Sequence, residues 1–207
     1  MNSNIFRLSV ILAIVTTVAA FVLAEIYSIT KPRIEMQKQA KTQQALNFVL
    51  PNAKYIEPVN KKIPIKDGKG NVLYEKEEVL YYIGYADEQK KEVTGYAFKA
   101  FGSGYSSIIE TMVGIDTLGK IRKIKIIYQQ ETPGLGANCV NSEEFNGKKW
   151  SIEQFSGKTI EELKVDKDGG PIVSITGATI TSRAITNSIK QKLEKLLPVI
   201  QKNTMGG

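Results

Sequence analysis

The chain has 207 residues, 42% of them hydrophobic, which is enough for one folded domain and an appendage. Its formal charge is +7, but Lys and Arg are interspersed with Asp and Glu, and the densest patches, "NKKIPIKDGKG" and "EQKKEV", lack the patterns of a nucleic-acid interface. Histidine is absent and Cys139 is the only cysteine, which excludes an intrachain disulfide, a C-x-x-C zinc site, a thiolate-ligated cluster, a C-x-x-C-H haem attachment and a histidine general base.

Near the N-terminus, "LSVILAIVTTVAAFVLA" (8–24) carries no charge. Glu25 interrupts it and "IYSI" extends it to Ile29. With Phe6 in front, this is an apolar helix of about 20 residues, the length that crosses roughly 30 Å of hydrocarbon. Glu25 and the neighbouring Tyr27 then fall at an interface, where aromatic residues collect. A cleaved signal peptide is the rival reading, with Val22-Leu23-Ala24 as a small-residue site, but Arg7 is the only basic side chain ahead of it. The balance of Arg7 against Lys31, Arg33, Lys38 and Lys41 leans towards a cytoplasmic C-terminal domain. Residues 31–50 read as a helix leaving the membrane, with Ile34, Ala45, Leu46, Val49 and Leu50 apolar and Pro51-Asn52 as the stop. The expected organisation is an anchor (1–30), a connecting helix (31–55) and a folded domain (56–207).

Within that domain, "DGKGN" (67–71) reads as a turn between short strands. "EEVLYYIGYA", "VTGYAFKAF", "SSIIETMVGID" and "KIRKIKIIYQQ" follow as strand-like runs whose close spacing predicts an antiparallel meander. "SEEFNGKKW" and "SIEQFSGKTIEELKV" read as short helical or irregular pieces, and "GGPIVSI" as a final strand. "TSRAITNSIKQKLEKLLPVI" closes the chain as an amphipathic helix with Ile185, Ile189, Leu193, Leu196 and Ile200 along one stripe. The predicted class is α+β: a twisted, mainly antiparallel sheet with flanking helices, carried on a single transmembrane helix.

Three motifs stand out for chemistry. In "SITGATITSRAIT" (174–186), Thr176-Gly177-Ala178 makes a tight turn and Thr179 stands where the last helix begins, a place where backbone N–H groups and the helix dipole attract phosphate. Capping by Thr179, Thr181 or Ser182 is the alternative. "ETPGLG" (131–136) follows the strongest strand and keeps its backbone open to a flat, carbonyl-bearing ligand; a plain surface turn is the alternative. "GSGYSS" (102–107) offers a tight turn with Tyr105 available for ring stacking, or is an ordinary hairpin turn. With no histidine and one cysteine, any redox group must be an organic cofactor. No metal site and no catalytic side chain is expected.

Taken together, "TGAT" followed by "ITS", with "ETPGLG" upstream and an N-terminal apolar helix, resembles the covalent FMN-binding domain family. The likeness extends to the G subunit of Rnf electron-transport complexes, with the C subunit of the sodium-pumping NADH:quinone oxidoreductase as a close relative. It spans residues from about 5 to 200. The resemblance implies that Thr179 carries FMN through a phosphoester. It implies further that Thr176, Gly177, Ala178, Ile180 and Thr181 flank the attachment point. Glu131, Thr132, Gly134, Leu135, Gly136, Tyr105 and Ser106 would then contact the isoalloxazine or ribityl part. The family's motif commonly has an acidic residue where this chain has Val173, Asp168 being the nearest acid upstream, and a histidine near the position of Gln129 and Gln130.

The implied role is an electron-carrier subunit that relays electrons through covalent FMN in a membrane-bound, ion-translocating ferredoxin:NAD oxidoreductase, rather than an independent catalyst. Its implied partners are the other membrane and redox subunits, a flavin transferase for maturation, and the lipid bilayer; no nucleic acid is expected. The resemblance places the flavin domain outside the cytoplasm with the N-terminus inside, against the charge reading. A standalone membrane-anchored reductase, a component of the quinone-reductase type, and a non-redox binding module are the alternatives.

Overall fold

A computed structural model of the chain describes residues 3–66, 72–141 and 149–205, in two compact units, Met1–Thr42 and Gln43–Gly207. A single helix, α1 (Ser3–Val49), runs unbroken through Pro32 and supplies nearly all of the first unit. Leu, Ile, Val and Phe lie exposed all round its N-terminal half rather than along one packed face, a pattern that fits a membrane anchor. It is long and apolar enough to cross a membrane. Its hydroxyl side chains are turned back onto the helix: Ser9 donates to the Ile5 carbonyl at 3.0 Å and Thr17 to that of Ala13 at 2.7 Å. Where no water is at hand, such local bonds are how a hydroxyl is satisfied.

The second unit is a five-stranded antiparallel sheet, in the order β1 (Tyr55–Lys66), β2 (Val72–Tyr85), β3 (Val93–Ser103), β4 (Ile108–Ile115) and β5 (Ile121–Tyr128). This is the expected meander. The strands of the first hairpin are long rather than short, with 12 and 14 residues. The turn assigned to 67–71 and most of "SEEFNGKKW" lie outside the described residues. Period-two alternation sorts each strand between two cores. Tyr96, Phe98 and Ala100 of β3, with Ile109, Val113 and Ile115 of β4, face the closing helix α2 (Thr179–Met205). Ala97 and Met112 face the other way, against Ala45, Leu46, Val49 and Leu50 at the end of α1.

Helix α2 inserts its stripe of Ile185, Ile189, Leu193, Leu196 and Ile200 into the larger core, each at most 5% exposed. Burying one such side chain stabilises the fold by about 1.5–3 kcal/mol before ordering costs. "SIEQFSGKTIEELKV" forms two 3-10 turns, Ile152–Phe155 and Ile160–Glu162, the second closed by a reciprocal Thr159–Glu162 capping box. The expected final strand, including the entry at 172–175, is absent: "GGPIVSI" forms only one isolated parallel bridge, Val165 to Ile172. Pro171 has no N–H to give to a ladder. Ile172 keeps backbone bonds to Lys164 and Asp166, and the residues after it are bound instead by side chains. Val173 donates to Gln154 Oε1 at 2.8 Å and accepts from Gln154 Nε2 at 3.3 Å. Ser174 gives both its N–H (3.1 Å) and its hydroxyl to Asp166, and Ile175 N–H donates to Ser182 Oγ at 2.9 Å.

Candidate functional site

At one end of the sheet, β3 and β4 are joined by residues 104–107, and β5 runs out into "ETPGLG". Both loops meet the first turn of α2 around a cleft of about 530 Å³, inside the roughly 300–1,000 Å³ range of small-molecule sites. Tyr105, Glu131, Thr132, Leu135, Gly136, Gly177, Ala178, Thr179, Ile180 and Thr181 line it. Three segments far apart in sequence thus line one cleft. Thr176, Gly134 and Ser106 do not line the cleft. Thr176 and Gly134 are exposed on adjacent turns, and Ser106 reaches the site only through its backbone.

The turn before α2 has the form expected of "TGAT". Gly177 adopts φ +76°, the left-handed region that a side chain disfavours. A Cβ there would stand 3.0 Å from Leu135 Cδ2, so the small residue also admits Leu135 from across the cleft. Thr179 follows as the first residue of α2, half-buried, and its hydroxyl has no hydrogen-bond partner among the described residues. Unpaired N–H groups and the dipole make this helix end favourable for an anionic group. Tyr105, Leu135 and Ile180 supply exposed apolar surface around the cleft. The walls therefore suit a ligand with a flat apolar body and a phosphate: an open hydroxyl at a helix N-terminus, and a cradle that side chains at Gly136 and Gly177 would fill.

The capping alternative resolves residue by residue. Ser182 does tie the turn, accepting from Ile175 and donating to the Ala178 carbonyl at 3.2 Å. Thr181, fully buried, instead donates to Glu131 Oε2 at 2.6 Å, a bond across 50 residues of sequence. Glu131 is the hub of the site. Its Oε1 accepts from the N–H groups of Ser106 and Ser107, both at 3.0 Å, and from Ser107 Oγ at 3.3 Å. Its Oε2 accepts from Tyr105 N–H at 3.1 Å in addition to Thr181. Burial by itself raises the pKa of this carboxyl, but the Thr181 hydroxyl and the Ser106, Tyr105 and Ser107 amides outweigh it and hold the group below its ordinary value of 4.5. Glu131 is ionised at neutral pH. Glycine is required close by: a Cβ at Gly104 would come within 2.6 Å of Glu131 Oε1, and one at Gly136 within 2.7 Å of both Oε2 and Thr181 Oγ1.

Several contributors were not read from the sequence as site contacts. Gln154 and Asp166 position residues 173–174 only because the fold brings the 3-10 turns beside them. Asp168 makes a forked pair with Arg183 on α2, with bonds of 2.6–3.1 Å. Gln129 Oε1 accepts the Glu131 N–H at 2.7 Å, and Gln130 N–H donates to Ser107 Oγ at 2.8 Å, so the two glutamines brace the hub. Cys139 is fully buried, and burial pushes its thiol up to about 12.

A family profile described as the FMN-binding domain matches residues 104–194, and one described as the RnfG N-terminal region matches residues 1–49. The chain is 35% identical over 198 residues to the G subunit of a Na(+)-translocating ferredoxin:NAD(+) oxidoreductase complex of Acetobacterium woodii, covering 92% of this chain and 90% of that one. It is 32% identical over 199 residues to the G subunit of a proton-translocating ferredoxin:NAD(+) oxidoreductase complex of Clostridium ljungdahlii, covering 94% and 93%. Among solved structures, the C subunit of a Na(+)-translocating NADH-quinone reductase from Parabacteroides distasonis shares the fold, with a TM-score of 0.54 at 18% identity over 81% of this chain and 95% of that one. By these matches over nearly its whole length, the chain belongs to the RnfG family, the G subunits of Rnf-type ion-translocating oxidoreductase complexes.

Proposed function

We infer that this protein is a membrane-anchored electron-carrier subunit of an Rnf-type ferredoxin:NAD oxidoreductase, with FMN joined to Thr179 by a phosphoester. The observation that carries the reading is the open Thr179 hydroxyl at the N-terminus of α2, on a cleft walled by the other two segments, within the span of the FMN-binding domain match. The curated relatives named as G subunits of ferredoxin:NAD(+) oxidoreductases support the assignment to a complex. Bound FMN supplies redox chemistry that no side chain of this chain can. The chain's own residues bind and orient: the first turn of α2 meets the phosphate, Leu135, Ile180 and Tyr105 offer apolar contact to the ring system, and Glu131 holds the loops.

A flavin transferase installs the ester in this reading, and the other subunits of the complex donate and accept the electrons. Residues 1–30 serve as anchor, 31–55 as connection and 56–207 as flavin domain. The N-terminus lies in the cytoplasm and the domain outside it.

One experiment tests linkage and topology together. Intact cells of the native host, with and without protease added outside, are run on a denaturing gel and read for flavin fluorescence. The wild-type band should fluoresce and should be lost on digestion, and Thr179→Ala should be dark. Full fluorescence in Thr179→Ala refutes the attachment residue, and complete protection from protease refutes the orientation.

A further inference from the structure

The five donors gathered on Glu131 do not all belong to one element, and its two oxygens serve different ones. Oε1 gathers the turn after β3, through the amides of Ser106 and Ser107. Oε2 joins the Tyr105 amide to Thr181, two residues beyond Thr179 on the first turn of α2. Glu131 itself is among the residues that line the cleft. One side chain thus bridges the wall that presents Tyr105 and the wall that presents Thr179.

We propose that Glu131 is a positioning residue for the flavin. Acting through Thr181 and the 105–107 amides, it sets the spacing of the two walls, and its fixed negative charge opposes the build-up of negative charge on the ring system. The proposal rests on the reading of this cleft as the FMN site.

The donor count makes the carboxylate irreplaceable by its amide. Backbone N–H groups cannot turn round to accept, so each of the three amides on the 105–107 turn demands an acceptor. A glutamine has one carbonyl oxygen and one NH2. Its NH2 must face either Tyr105 N–H or the Ser106 and Ser107 N–H groups, leaving donors opposed and unpaired in a buried place. At Thr181 the demand is for a donor: serine preserves it, and valine has the same shape without it.

The test uses the full-length flavinylated chain in detergent, as wild type, Glu131→Gln, Thr181→Val and Thr181→Ser. Three readouts are taken: amide exchange across 104–107, the visible circular dichroism of bound flavin, and the flavin midpoint potential. Glu131→Gln should accelerate exchange at 105–107 at least tenfold and move the potential upwards. Thr181→Val, the milder change, should alter the flavin dichroism while the 105–107 amides stay protected, and Thr181→Ser should restore the wild-type spectrum. Unchanged exchange or an unmoved or lowered potential in Glu131→Gln overturns the proposal, as does a Thr181→Val spectrum identical to wild type. If Glu131→Gln fails to accumulate as folded protein, the Thr181 pair decides. A wild-type chain that carries no flavin refutes the functional reading, and the exchange rate at 105–107 in Glu131→Gln against wild type then decides whether Glu131 ties that turn.

Discussion

Gly102, near the end of β3, is a position where the pocket-bearing helix α2 packs directly against the sheet. A Cβ built there overlaps the Ala184 carbonyl oxygen, lies 2.7 Å from its carbonyl carbon and 3.2 Å from Ser188 Oγ. The obstruction is main chain, so no rotamer change relieves it; α2 must move away from β3. Inserting a methyl group into a packed site costs about 1–3 kcal/mol, and a backbone clash belongs at the upper end, about 3 kcal/mol. For a unit of this size each kcal/mol lowers the melting temperature by about 2–4 °C. Gly102→Ala should therefore melt about 6–12 °C below wild type, by far-ultraviolet circular dichroism of the full chain in detergent. Because α2 also carries Thr179 and Thr181, flavin incorporation should fall with it. A melting temperature within about 1 °C of wild type would refute the close helix–sheet approach on which the pocket geometry depends.

Two further outcomes follow from ionisation and burial. Cys139, buried and held near 12, has about one thiolate in ten thousand at pH 8, so native protein should resist a maleimide that labels the unfolded chain readily; labelling at the rate of a free cysteine contradicts its packing. Glu131 and Asp166 have folded pKa values below their ordinary ones, so the stability they contribute is complete above about pH 4.5 and is lost as pH falls through the depressed values. The urea midpoint should drop between pH 7 and pH 3, and Glu131→Gln should drop less; equal drops would remove Glu131 from the account.

Local pattern determined the elements whose physics is local. The uncharged run at 8–24, the alternation in β2 to β5 and the stripe on α2 are each legible because one element's own periodicity says which face is buried. "TGAT" and "ETPGLG" were legible as motifs because their glycines and hydroxyls sit a few residues apart. Tertiary structure alone decided what those residues do to one another. "GGPIVSI" looked like a strand by composition, yet the N–H groups of Val173, Ser174 and Ile175 donate to the side chains of Gln154, Asp166 and Ser182, partners that no strand rule could supply. Thr181 looked like a cap and is instead the far end of the Glu131 bridge, across 50 residues. Glu131 was legible as a contact but not as a hub, because a buried carboxylate is defined by the donors that surround it. Those donors come from two separate segments, residues 105–107 and the first turn of α2, and only the packing of α2 against the sheet brings them within 2.6–3.3 Å of its two oxygens.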